Sequence, residues 1–259
     1  MPAPSWRVVL AVVALGTGFV LGQLIGGGIV IGGGWDFDVS AALGSDLGRV
    51  AGQFGQGLVP DHNRIPMLVL LAVNAPLWVG FIGVPWLASR FRGLDWRRDL
   101  GWGMRPVDLG AGLAVGIVTQ VALVPLLYWP LGRVVDQQEL EEPARNLIAL
   151  ANSPIDVAAL VVMVVIGAPL AEEIVFRGLL FRGIFDMERA GRFALVTAVA
   201  ASSAIFAASH LQLLQFPGLF VIGAVAALGL HRTGRLGTAI WIHVGFNATA
   251  VVGVLREIY

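Results

Sequence analysis

Apolar residues run uninterrupted by charge from Val8 to Gly34, Ile65 to Ser89, Leu109 to Gly132, Val157 to Ala171, Phe193 to Leu230 and Leu236 to Leu255. Most of these runs reach the ~20 residues a helix needs to cross a hydrocarbon layer. Divided at charges, prolines and glycines, they predict seven spans near 8–34, 65–89, 109–131, 155–186, 193–214, 217–231 and 236–255. The fourth opens on Asn152-Ser153-Pro154, with Ser153 placed to cap and Pro154 at the first helical position. The sixth, after Phe216-Pro217-Gly218, retains only about 14 residues and reads as a partial or re-entrant segment. The fold class is therefore all-α, a polytopic transmembrane helix bundle of about seven to eight helices. Between the first two spans, Val39, Leu43, Leu47, Val50, Phe54 and Leu58 recur at three- and four-residue steps, which predicts an amphipathic outer helix lying on the membrane surface. The acidic stretch from Val134 to Leu150 reads as a second outer loop, partly helical.

Composition sharpens this picture. Of 259 residues, 57% are hydrophobic and only 13% charged, where soluble domains carry ~25% charge. Seventeen basic residues, all arginine, balance seventeen acidic ones, so nothing draws the chain to nucleic acid. With no cysteine there is no thiolate nucleophile or thiolate metal ligand. The first apolar run exceeds a secretory h-region and lacks a clear small-x-small cleavage site, so it reads as a retained helix. With the N-terminus inside, eleven arginines fall on the cytoplasmic side and five outside, with Arg177 left near the membrane. The positive-inside rule then predicts a multi-pass protein of the cell membrane with a cytoplasmic N-terminus.

An ionisable side chain inside an apolar span costs roughly 2.5–3.5 kcal/mol on insertion scales, so each one needs a partner or a purpose. The fourth span carries Glu172, Glu173 and Arg177 in APLAEEIVFRG, the fifth carries His210 in FAASH, and the seventh carries His243 and Asn247 in HVGFN. Glu173 and Arg177 stand at i and i+4 in the order that favours an ion pair, while Glu172 points about 100° away and is left to act as a base. His243 and Asn247 share a face by the same spacing, as do Phe206 and His210. A glutamate beside a histidine takes a proton from water and returns it to a leaving amine, and Asn with a second His donates to an oxyanion. The same set also suits a catalytic zinc site with an open position.

These motifs resemble those of the CAAX-protease and bacteriocin-processing family (CPBP, the abortive-infection or Abi proteins). EEIVFR at 172–177, FAASH at 206–210 and HVGFN at 243–247 stand in that family's order on successive helical segments. The resemblance covers about residues 155–250 and sets out a protease-like core between an N-terminal region, 1–154, and a short tail, 251–259. The basic stretch from Gly93 to Asp108 is similar to loops in the family. The resemblance implies an intramembrane endopeptidase acting on a peptide or membrane-protein substrate in the bilayer. Glu172 would be the water-activating base, His210 would assist water activation, His243 and Asn247 would stabilise the oxyanion, and Glu173 with Arg177 would support the site. It leaves the mechanism open between a glutamic peptidase and a metalloendopeptidase, with zinc as the metal.

Other readings compete with this one. Arginine snorkelling at a helix end accounts for Glu172, Glu173 and Arg177 taken alone, and a lone membrane histidine commonly serves as an interhelical hydrogen bonder. His62 and His231 read as ordinary surface residues, and Ser202, Ser203 and Ser209 as packing residues. The alternative function is a non-catalytic membrane immunity or partner-binding protein with a buried polar or ion-binding cluster. The chain has no HExxH, no GxGD and no rhomboid-type GxSx. One geometric demand remains: by helical rise His243 lies ~10 Å from the cytoplasmic end of its span but His210 lies ~25 Å from Arg192. A shared site therefore requires the fifth helix to begin outside the bilayer, to tilt or to kink.

Overall fold

The computed structural model of the chain describes residues 6–34, 66–132, 137–188 and 191–258. The predicted amphipathic helix over 39–58, and His62, lie outside them. The described residues form helices joined by turns and loops, with no strand among them. In chain order the helices are α1 Trp6–Gly32, α2 Met67–Arg92, α3 Trp96–Leu100, α4 Pro106–Tyr128, α5 Gln137–Ile148, α6 Pro154–Met187, α7 Ala194–Ser209, α8 Phe216–Thr233 and α9 Leu236–Ile258. Six of them, α1, α2, α4, α6, α8 and α9, are long and apolar enough to cross a membrane. This is a multi-pass membrane protein.

The short segment is not the one the sequence pattern picks out. After Pro217 in its first turn, α8 runs on through Thr233 for 18 residues, because His231 and Arg232 continue the helix instead of ending it. It is α7 that is short, at 16 residues, or about 24 Å. It stops where His210 caps it and Leu211 turns the chain with a φ of 55°.

Local sequence explains the helix ends. Ser153 Oγ accepts from the Asp156 backbone N–H at 3.3 Å with Pro154 following, as the spacing predicts. Asp95 caps α3 by accepting from Arg98 N–H at 2.7 Å. Within the long helices, π-helical turns at Thr119–Leu123 and Val161–Gly167 lie just ahead of Pro125 and Pro169. A proline inside a helix removes one donor and crowds the preceding turn, and the wider turn relieves that crowding while freeing a carbonyl.

Glycines set the distances between helices. α4 and α9 touch through Gly112, Gly116 and Gly245: a Cβ on Gly112 would lie 2.6 Å from Trp241 Cβ, one on Gly245 2.6 Å from the Leu113 carbonyl oxygen, and one on Gly116 inside the Ile242 carbonyl. Small residues permit this approach where apolar packing alone has no hydrophobic drive. Gly116→Leu is expected to force α4 off α9 and to destabilise by about 1–3 kcal/mol or more. The check is a drop in the thermal midpoint in detergent relative to Gly110→Leu, a position with open space around it.

At the end of the bundle that carries the α1 N-terminus, the stretch predicted as a basic loop is a clamp. The Asp99 carboxylate accepts from Arg7 Nη2 at 3.1 Å, from Arg98 at 3.0 and 2.9 Å and from the Asp95 backbone N–H at 2.9 Å. Arg7 also pairs with Asp186 of α6. Next along the chain, Asp108 takes both forks of Arg235 at 2.7 and 2.6 Å and the Thr238 hydroxyl at 2.8 Å, and Leu236 and Gly237 N–H donate to the Gly101 and Gly103 carbonyls. The start of α9 is thus held in register with α3 and α4. Burial alone would raise the Asp99 carboxyl, but the hydrogen bonds from Arg98 and Asp95 and the nearby Arg98 and Arg7 charges outweigh it and hold the group below its ordinary value of 3.8. A carboxyl lowered in the folded state contributes stability above the unfolded value and loses it as pH falls through the folded one. Stability is therefore expected to decline below about pH 4, and Asp99→Asn is expected to flatten that acid limb in a melting series against pH.

Candidate active site

α6, α7, α8 and α9 bring the three motifs together. Glu173 and Arg177 face inward on α6 and are 0% and 1% exposed. Arg177 Nη1 stands 2.8 Å from Glu173 Oε1, the i, i+4 pair the spacing predicts. The contact is one of charge, because neither Nη atom makes a hydrogen bond among the described residues. The Phe206 ring supplies further compensation, with the guanidinium 4.4 Å from its centroid. Phe206 itself sits edge-on to Phe176 at 5.2 Å.

His243 reaches the same carboxylate from α9. Its Nδ1 lies 2.9 Å from Glu173 Oε1, and because a carboxylate only accepts, the proton sits on Nδ1. Nε2 then points to the neighbouring carboxylate, 3.9 Å from Glu172 Oε2. Two adjacent glutamates are thereby given different surroundings. Glu173 is sealed between a cation and an imidazole, while the Glu172 side chain keeps 16% of its surface open.

Asn247, one turn beyond His243, has a second use. Ahead of Pro169 the Ala168 N–H bonds to the Met163 carbonyl five residues back, instead of to Val164. The released Val164 carbonyl accepts from Asn247 Nδ2 at 2.8 Å, closing α9 onto α6 and leaving the second N–H of that amide without a partner among the described residues.

His210 is joined to this group through Phe206. Its Nδ1 lies 2.8 Å from the Phe206 carbonyl, and the Phe206 ring touches both imidazoles, with centroids 4.7 Å from His210 and 5.6 Å from His243. The demand on helix levels is met by offset. Phe206 lies twelve residues, ~18 Å, into α7 and His243 only seven, ~10 Å, into α9, so α7 begins well beyond the start of α9. His231 is exposed, as expected, and stands edge-on to Phe185 at 5.2 Å.

One contributor is invisible to motif reading. A Cβ on Gly223 of α8 would lie 3.1 Å from Arg177 Nη2 and 3.0 Å from Ser203 Cβ, so glycine makes room for the guanidinium. Nothing in its surroundings along the chain separates it from the other α8 glycines. As for a metal, no group of three or more His, Asp or Glu side chains converges as a ligand set among the described residues. The zinc reading would draw on Glu172, His210 and His243, and Glu173 already holds Nδ1 of the last.

The family model described as type II CAAX prenyl endopeptidase Rce1-like matches residues 154–249, which contain all three motifs. The fold is that of a multi-pass membrane protein, and its segment 154–249 is similar to CAAX proteases. Over this segment the chain is similar to the CPBP family. It is similar to the membrane-embedded CAAX protease MroQ of Staphylococcus aureus (strain USA300), at 30% identity over 123 residues, 47% of this chain and 49% of that protein. The chain thus aligns with about half the length of this relative. No solved structure matches it.

Proposed function

We propose that the protein is an intramembrane endopeptidase that hydrolyses a peptide bond in a membrane-associated or peptide substrate with water activated by Glu172. The observation that carries this reading is the split between two adjacent carboxylates: Glu173 is held by Arg177 and His243, and Glu172 is part-open and faces His243 Nε2 at 3.9 Å. That separation lets one water hydrogen-bond to both groups. Glu172 takes a proton from the water as its oxygen attacks the substrate carbonyl, then returns the proton to the leaving amine. The Nε2 lone pair of His243 aligns the same water, and Glu173 keeps the ring in that tautomer. His210, with its proton likewise on Nδ1, keeps Nε2 as an acceptor and is assigned to assist water activation. The spare N–H of Asn247 is the donor for the developing oxyanion. Arg177 acts as a positioning residue by pairing with Glu173.

In this reading the water is activated by side chains alone. Purified protein in lipid nanodiscs, presented with a quenched fluorescent peptide library, is expected to turn over at an unchanged rate after exhaustive chelation. Loss of turnover on chelation with recovery on zinc would replace the glutamic mechanism by a metal-dependent one. No turnover by folded protein with any peptide would favour the non-catalytic reading.

A further inference from the structure

At the arginine-rich end of the bundle, away from Glu172, Glu173 and His243, a cavity of about 1290 Å³ opens between α1, the ends of α2 and α6, α3 and the α8–α9 turn. Its lining changes character with depth. Arg7, Arg92, Arg98 and Arg182 line it together with only two carboxylates, Asp99 and Asp186, which leaves a surplus of two positive charges. Arg7 and Arg98 are engaged by those carboxylates. Arg92 and Arg182 make no ion pair among the described residues, and the hydrogen bond of Arg182 goes to the Arg98 carbonyl at 3.1 Å. Beyond the arginines the wall is apolar. Leu10 and Val13 of α1 line it, and Val13 stands six residues, ~9 Å, further into the membrane span than Arg7. Val9 and Val13 are 60% and 47% exposed, so this wall continues onto the outer face of α1.

We infer that this cavity binds an anionic phospholipid of the surrounding bilayer, its phosphate between Arg92, Arg98 and Arg182 and its acyl chains along Val9 and Val13. A soluble anion would satisfy the arginines but leave the apolar wall unused. A zwitterionic lipid would satisfy the wall but bring no net charge to the surplus. Only an amphiphile with a net negative head matches both parts. The position agrees, since Arg7 opens one membrane span and Arg92 closes another, where headgroups lie. Guanidinium also suits phosphate better than ammonium does, because it presents paired donors.

The test is native mass spectrometry of the full chain in detergent, titrated with phosphatidylglycerol, phosphatidylcholine of matched chain length, and inorganic phosphate. Phosphatidylglycerol is expected to stay bound where phosphatidylcholine and phosphate do not. Its affinity should fall about fivefold with Arg92→Gln and by a similar factor again when Arg182→Gln is added, and should weaken with added salt. Arg92 is exposed at a helix end, so its substitution leaves the fold intact, and Val13→Trp tests the apolar wall from the lipid side. Equal retention of both lipids, or wild-type retention by Arg92→Gln, would overturn the proposal. Phosphate binding as tightly as phosphatidylglycerol, with Val13→Trp silent, would overturn it in favour of a soluble-anion site.

Discussion

Glu172→Gln is expected to lower peptide turnover by about 10²- to 10⁴-fold, the range for loss of a general base, while leaving the thermal midpoint within a degree or two of wild type. The amide keeps the shape of the carboxylate and can still hold a water, but it cannot take the proton. Stability is spared because Glu172 is the less engaged of the two glutamates: its nearest ion-pair contact is the 3.9 Å approach to His243 Nε2, and its side chain is part-open. Turnover measured on a fixed peptide, beside a melting curve, checks both halves. Retained turnover would remove Glu172 from the role of base. A lost fold would make the carboxylate structural and favour the non-catalytic reading.

Arg177→Ala is expected to cost the most stability of any single change in the bundle. It leaves Glu173 buried without its cation, and removal of one partner from a buried pair costs about 3–5 kcal/mol. The same substitution also strips the Phe206 ring of the guanidinium stacked on it. Replacing both partners, as in Glu173→Leu with Arg177→Leu, is expected to return much of that stability, since a buried pair exchanged for apolar volume is often neutral. It should not return turnover, because His243 then has no acceptor for its Nδ1 proton and is free to turn its ring. Comparing melting curves and rates for the single and double variants separates a pair that positions the imidazole from one that only holds helices together.

Several features of this protein follow from the sequence alone. The positions of the spans are legible to within a few residues because apolar length has one physical meaning in a bilayer. The start of α6 at Ser153-Pro154 and the pairing of Glu173 with Arg177 are legible because caps and i, i+4 contacts are local. So is the sorting of Glu172 from Glu173, since successive residues of a helix point about 100° apart.

Tertiary structure decides what lies between helices. Helical spacing puts His243 and Asn247 on one face but does not say how far α9 is rotated or at what height it meets α6. The Gly112, Gly116 and Gly245 contacts and the Asp108–Arg235 clamp set that height. They bring His243 onto both glutamates, where the motif alone suggests oxyanion binding. The π-helical turn before Pro169 frees the Val164 carbonyl that engages Asn247. A backbone acceptor exposed by local geometry leaves no mark on side-chain patterning. His210 joins the cluster only because α7 is short and begins beyond α9, an offset between chain segments that no single apolar run records.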